Sequence, residues 1–103
     1  YYNQEGSESV MIGYEAGKSS SLHNKSGDVF IGYQAGYNET GSHKLYIENS
    51  NSSSPLIYGE FDNNLLRING TLDINNAYQF PTTDGTSNQI LQTDGSGNVS
   101  WVD

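Results

Sequence analysis

Apolar residues in this chain fall in short triplets separated by polar, glycine-rich stretches. Val10-Met11-Ile12, Val29-Phe30-Ile31 and Leu45-Tyr46-Ile47 come first, followed by Leu56-Ile57-Tyr58, Leu66-Arg67-Ile68 and Leu72-Asp73-Ile74. Their first residues are 19, 16, 11, 10 and 6 positions apart. Val, Ile and aromatic residues at alternating positions between Gly, Asn and Ser clusters are the pattern of short β-strands. The strand unit persists while the loops shorten, which predicts a coil tapering into a narrower stalk. No segment carries apolar residues at i, i+3 and i+4 over three turns, and Gly, Asn, Ser and Thr are too dense for stable helix.

The first two triplets belong to a longer repeat. Ser9-Val10-Met11-Ile12-Gly13-Tyr14-Glu15-Ala16-Gly17 returns as Asp28-Val29-Phe30-Ile31-Gly32-Tyr33-Gln34-Ala35-Gly36. A strand and a glycine-framed corner recurring at a fixed offset suggest a solenoid-like coil. Gly13, Gly17, Gly32 and Gly36 are the predicted corners, where positive φ or close backbone approach is needed. Alternation along a strand puts Val10 and Ile12 on one face and Met11 on the other. The expectation is a repeat core of Val10, Ile12, Val29, Ile31, Leu45, Ile47, Leu66, Ile68, Leu72 and Ile74. Met11, Phe30, Tyr46 and Ile57 then point outward, which is expected where that face meets another chain. Arg67 and Asp73 read as solvated. Lys18 to Gly27 is a polar loop with Leu22 as its candidate anchor, and Tyr1 to Glu8 resembles the tail of a preceding repeat.

The last third repeats on a smaller scale. Thr83-Asp84-Gly85-Thr86-Ser87-Asn88 matches Thr93-Asp94-Gly95-Ser96-Gly97-Asn98. Asp-Gly pairs between apolar segments are turn signals. With Tyr78-Phe80, Ile90-Leu91-Gln92 and Val99-Ser100-Trp101-Val102 they predict a β-meander, closed at its start by Phe80-Pro81. Trp101 would cap or plug the base and join the chain–chain contact. Asn69-Gly70-Thr71 is a hairpin signal; the tract reads as a hairpin or as one long strand, with two strands and a kink at Gly70 the better fit. The domain reading is 1–62 for the repeats and 63–103 for the stalk.

Composition sharpens this picture. The chain has 103 residues, of which 33% are hydrophobic, against roughly 45–50% apolar in typical domains. That is a poor supply for a lone core, and the orderly triplets imply that several chains share one. The net charge is −8, with 12 acidic and 4 basic residues. Nucleic acid as a partner is excluded, since phosphate binding needs clustered Lys and Arg. The scattered acids read as a solvated surface that also keeps a repetitive β structure from stacking on itself. No cysteine is present, so there is no disulfide or thiolate chemistry. No apolar run approaches the ~18 residues of a membrane span. The chain starts and stops in mid-pattern and reads as a segment of a longer protein.

The Val-x-Ile-Gly-Tyr-x-Ala-Gly unit resembles the head repeats of trimeric autotransporter adhesins of the YadA type and the related repeats of bacterial tail fiber domain proteins. The tract from Leu66 to Trp101, with its Pro81-Thr82-Thr83-Asp84-Gly85 and Leu91-Gln92-Thr93-Asp94-Gly95 sequences, resembles the segment that precedes a self-cleaving chaperone domain in such fibres. The two regions cover most of the chain. The resemblance implies an all-β, fibrous, parallel homotrimer whose β-roll head repeats taper into a β-meander stalk. It implies an extracellular surface fibre or phage-like tail fibre acting as a stiff spacer and adhesion element. The spacings here are longer and less equal than in the adhesin heads, and no chaperone domain lies within these residues.

Chemistry adds little. His23 and His43 sit in polar loops, and no His/Asp/Ser set suggests a triad. Glu60 and Asp62 are the nearest approach to a paired-carboxylate site, and solvated acids account for both. No enzyme activity and no cofactor are expected. The Asp84–Asn88 and Asp94–Asn98 tracts place oxygens at alternate positions, as calcium requires, but lack the ligand count of a calcium loop; ordinary β-turns explain them. Five Asn-x-Ser/Thr sequons start at Asn24, Asn38, Asn51, Asn69 and Asn98, and several arise by chance in so polar a chain. Eight tyrosines against three phenylalanines suit sites with one apolar and one wet side. Tyr14 and Tyr33, at equivalent repeat positions, are expected to stack; the functional alternative is a tyrosine surface for sugars or protein ligands. A carbohydrate-binding tip module and a self-assembling filament subunit are the competing readings.

Overall fold

A computed structural model of the protein describes residues 8–19 and 24–103. Leu22 and His23, and the Tyr1–Ser7 tail, lie outside the described residues. The described chain is all-β, with no helix: β1 (Val10–Ile12), β2 (Val29–Ile31), β3 (Lys44–Ile47), β4 (Ile57–Glu60), β5 (Leu65–Ile68), β6 (Asp73–Ile74), β7 (Tyr78–Gln79), β8 (Ile90–Thr93) and β9 (Val99–Val102). It divides into two units, ending at Asn69 and beginning at Gly70. The break expected after Asp62 comes later because β5 pairs with β4 and so belongs to the first unit.

In the first unit β1 to β5 form one sheet in sequence order. β1, β2 and β3 are parallel, with Val10, Val29 and Leu45 in one row, Met11, Phe30 and Tyr46 in the next, and Ile12, Ile31 and Ile47 in the third. β1 and β2 are short because glycine ends each: Gly13 and Gly32 take φ 128° and 124°, which a residue with a Cβ rarely adopts. The corners match as closely as the strands. Glu15 and Gln34 both sit at φ 54°, and Gly17 and Gly36 both at φ 70°. Backbone bonds tie one corner to the next, from Gly32 N–H to the Ile12 carbonyl, Gln34 N–H to Tyr14 and Gly17 N–H to Ala35, each 2.8 Å. Successive copies of the repeat therefore lie side by side, strand on strand and corner on corner.

The repeat stops at β3. Glu48 stands where Gly13 and Gly32 stood, and its carboxylate accepts the Leu56 N–H at 2.8 Å and the Ser50 hydroxyl at 2.5 Å. The chain turns back here, so β4 runs antiparallel to β3 and β5 antiparallel to β4. The expected coil tapering into a stalk did not foresee this reversal, after which β4 and β5 end the sheet as a meander.

The second unit holds two hairpins. β6 and β7 pair around Asn75 and Asn76, both at φ 55°, with Ala77 N–H bonded to the Ile74 carbonyl at 2.9 Å. Asn tolerates this left-handed turn better than other side chains. The Asn69-Gly70-Thr71 signal is not a hairpin, because β5 and β6 do not pair. β8 and β9 pair around the second Asp-Gly turn. There Asp94 Oδ1 accepts the Ser96 and Asn98 N–H groups at 2.7 and 3.1 Å, and Oδ2 accepts Asn98 Nδ2 at 2.6 Å.

Candidate assembly interface

The sheet of the first unit has two chemically distinct faces. On one, Met11, Phe30, Tyr46, Tyr58 and Arg67 form a row across all five strands. The glycine corners fold back over this row: a Cβ at Gly36 would lie 2.5 Å from the Phe30 ring, and one at Gly17 would lie 2.4 Å from Met11 Sδ. Ala16, Phe30, Ala35 and Tyr46 are buried and form the core, with Met11 and Tyr58 packed against it. Phe30 meets Tyr46 edge-on at 5.2 Å, and Tyr46 meets Tyr58 edge-on at 5.6 Å, a geometry that aromatic quadrupoles favour. Arg67 lies 5.0 Å over the Tyr58 ring.

Polar groups line the margin of this core. Lys25 and Asp28 are fully buried. Lys25 Nζ donates to the Glu39 carbonyl at 2.5 Å and lies 5.1 Å from the Phe30 ring centroid. Asp28 Oδ1 accepts the Lys44 N–H at 2.8 Å, while Oδ2 is buried with no hydrogen-bond partner among the described residues. Burial pushes the Asp28 carboxyl up to about 6, against the opposing effects of the Lys44 N–H and of Lys25. Burial likewise lowers Lys25, opposed by Asp28 and Glu39. The Tyr46 hydroxyl donates to Glu39 Oε1 at 2.9 Å, and burial together with that carboxylate raises its pKa. The Tyr58 hydroxyl donates to Glu60 at 2.6 Å, which pushes Tyr58 up to about 12 and holds Glu60 low.

The opposite face carries two aliphatic ladders. Val10, Val29, Leu45, Gly59 and Leu66 form one; Ile12, Ile31, Ile47, Ile57 and Ile68 form the other. Val10, Ile12, Ile47 and Leu66 are 48%, 58%, 36% and 65% exposed.

The sequence reading grouped the residues of β1 to β3 and β5 on shared faces as found, but exchanged the faces, and it misplaced Ile57 of β4. Phe30, Tyr46 and Met11, expected to meet another chain, fill the chain's own core. Val10, Ile12, Val29, Ile31, Leu45, Ile47, Leu66 and Ile68, expected inside, lie on the face that the described residues leave uncovered. The cause is the corner: Gly17 and Gly36 leave room for a bulky Met or Phe beneath them, and Ala16 and Ala35 close over it. Ile57, grouped with Met11 and Phe30, lies on the other face because the reversal at β4 pairs it with Ile47. Leu72 and Ile74 are 44% and 37% exposed in the second unit. Trp101 lies against its own chain: its Nε1 donates to the Thr83 carbonyl at 2.8 Å, and a Cβ at Gly85 would meet its indole at 2.7 Å.

Comparison with protein-family models, with curated proteins and with solved structures finds no match for this chain. Its reading therefore rests on its own geometry. Tyr14 and Tyr33 stack at 5.7 Å with rings 9° from parallel, and are 67% and 47% exposed. Below them Gln34 Nε2 donates to Glu15 Oε1, and Lys18 pairs with Glu15 at 2.7 Å. In the second unit a hollow of about 290 Å³ is lined by Asp73, Asn76, Tyr78, Gln79, Ser96 and Asn98, among others. Among the described residues no group of three or more His, Asp or Glu is placed to hold a metal ion, and no helix is long and apolar enough to cross a membrane. The five sequon asparagines are all exposed. Sequence reasoning missed the buried pair Lys25 and Asp28, because both sit in a polar stretch; the one signal was that Asp28 opens the second repeat where Ser9 opens the first.

Proposed function

We propose that this chain is a structural and adhesive segment of an extracellular trimeric fibre, a stiff spacer resembling adhesin head repeats and bacterial or phage-like tail fibres. The observation that carries the reading is the equivalence of the two repeats in space. Each strand, glycine, tyrosine and alanine of one copy lies beside its counterpart, joined by the same backbone bonds. Such a unit extends by repetition, with each copy contacting only its neighbours. The mechanism is mechanical: backbone ladders resist bending, and three chains sharing an apolar interior gain the core that one chain lacks. A fibre displaying the same surface several times also binds by multivalency.

The exposed Tyr14–Tyr33 pair favours a second reading, a carbohydrate-binding module in which aromatic rings stack on sugars. Negative-stain micrographs of the purified chain test the first reading. Short uniform rods are expected, and isolated globules would contradict it, while long filaments would indicate end-to-end docking. A glycan array with saturable binding lost in Tyr14→Ala and Tyr33→Ala would favour the second.

A further inference from the structure

Charge and apolar surface are segregated between the two faces of the sheet. Lys44, Glu60 and Arg67 are the charged residues of β1 to β5, and all share the face of Tyr46 and Tyr58. The other face offers nine aliphatic side chains and Gly59, without one polar group. We propose that this double ladder is the seam along which copies of this chain associate, with Val10, Leu45 and Leu66 of one copy packing on the ladders of the next. The proposal rests on the fibre reading and names its interface.

Three observations point to a second copy as the occupant. The patch consists of regularly spaced Val, Leu and Ile rungs, so an identical ladder offers matching grooves. Monomers rarely expose large contiguous apolar patches, yet here Val10, Ile12, Ile47 and Leu66 are 36–65% exposed and Val29, Ile31, Leu45, Ile57 and Ile68 between them are half-buried. Each copy carries a charge of −8, so like copies approach each other at least cost on the one face free of charge. On the other face the chain's own corners already cover Phe30, and the β3 to β5 end carries the charges of Lys44, Glu60 and Arg67.

The test uses the whole chain and reads mass by light scattering. Ile12→Glu and Ile47→Glu place a carboxylate in the seam without touching the chain's own core. Tyr14→Glu places one on the exposed corner. The proposal expects a multi-chain wild type, and both Ile variants at the single-chain mass of 11.3 kDa with an unchanged β-type circular dichroism spectrum. Tyr14→Glu should keep the wild-type mass. A multi-chain wild type whose mass survives in Ile12→Glu and Ile47→Glu overturns this seam and leaves the fibre reading standing. A wild type that is single-chain at every concentration overturns both. If the charged variants fail to fold, cysteine answers instead, since the natural chain has none. Ile47→Cys should form an intermolecular disulfide on mild oxidation and Tyr14→Cys should not; the reverse result overturns the seam.

Discussion

Gly32 lies so close to Glu48 that a Cβ at position 32 would sit 1.9 Å from the Glu48 carbonyl oxygen. Its φ of 124° adds a second barrier to any side chain. Backbone cannot yield as a side chain can, so Gly32→Ala should destabilise the first unit by about 2–4 kcal/mol. Gly41→Ala is the comparison: its nearest neighbours are side-chain atoms, Glu39 Oε2 at 3.0 Å and Lys44 Cε at 3.3 Å, and the change should cost clearly less than Gly32→Ala, about 1 kcal/mol or under. Urea titrations of the two variants check this, and equal midpoints would show that the corners do not pack as described.

Among the described residues, Phe30 is the largest apolar side chain that is fully buried. Phe30→Ala should cost about 3–5 kcal/mol through lost burial and the cavity left behind, and that loss should not depend on protein concentration. Ile12→Ala removes a side chain from the open face. Its effect on the melting midpoint should grow as the protein is diluted, because it acts on association. Thermal melts over a hundredfold dilution series separate the two; a concentration-independent Ile12→Ala effect would place Ile12 in the chain's own core.

How much of this was legible beforehand differs by level. The strands were, because triplets of Val, Ile and aromatics framed by Gly admit few other structures. The grouping into faces was too within β1 to β3, where alternation decides it, but not across the reversal, where Ile57 joins Ile47. Which face is interior was not. That depends on where the corner folds back, and Met11 and Phe30 beneath Gly17 and Gly36 show it only in three dimensions. The reversal at β4 was hidden because Glu48 replaces a corner glycine without any change in the apolar pattern. The Asn75-Asn76 turn was missed in favour of Asn69-Gly70, although Asn tolerates positive φ. As for the open aliphatic face, its residues were all picked out, but only Ile57 was expected to meet another chain; the rest were expected inside the repeat.

Asp28 should govern stability between about pH 4 and 7. Its folded-state pKa is raised by burial from 3.8 to about 6. The folded chain therefore binds a proton more readily than the unfolded one. The resulting stabilisation is complete below the unfolded value and is lost as pH rises through 6. Lys25, Glu39, His43 and the Lys44 N–H are the groups that act on it. Glu15, Glu48, Glu60 and Asp94 have lowered pKa values. Their contribution is present above the unfolded range and lost in more acid solution. Wild type should thus gain at most about 2 kcal/mol between pH 7 and pH 4.5 relative to Asp28→Asn. Parallel stability curves for the two proteins would refute the assignment.

Trp101 is the single tryptophan, and its indole rests on Gly85. Gly85→Val would drive a side chain into the ring, which lies 2.7 Å from a Cβ there, and should expose the indole to water. A red shift of the fluorescence maximum is expected. An unshifted maximum would mean that Trp101 is held elsewhere.

The most direct measurement for the central claim is the mass of the purified wild-type chain by light scattering across a wide concentration range. A homotrimer with a shared aliphatic seam predicts three times the 11.3 kDa of one chain, persisting into the micromolar range. A folded β protein of 11.3 kDa at every concentration would contradict it.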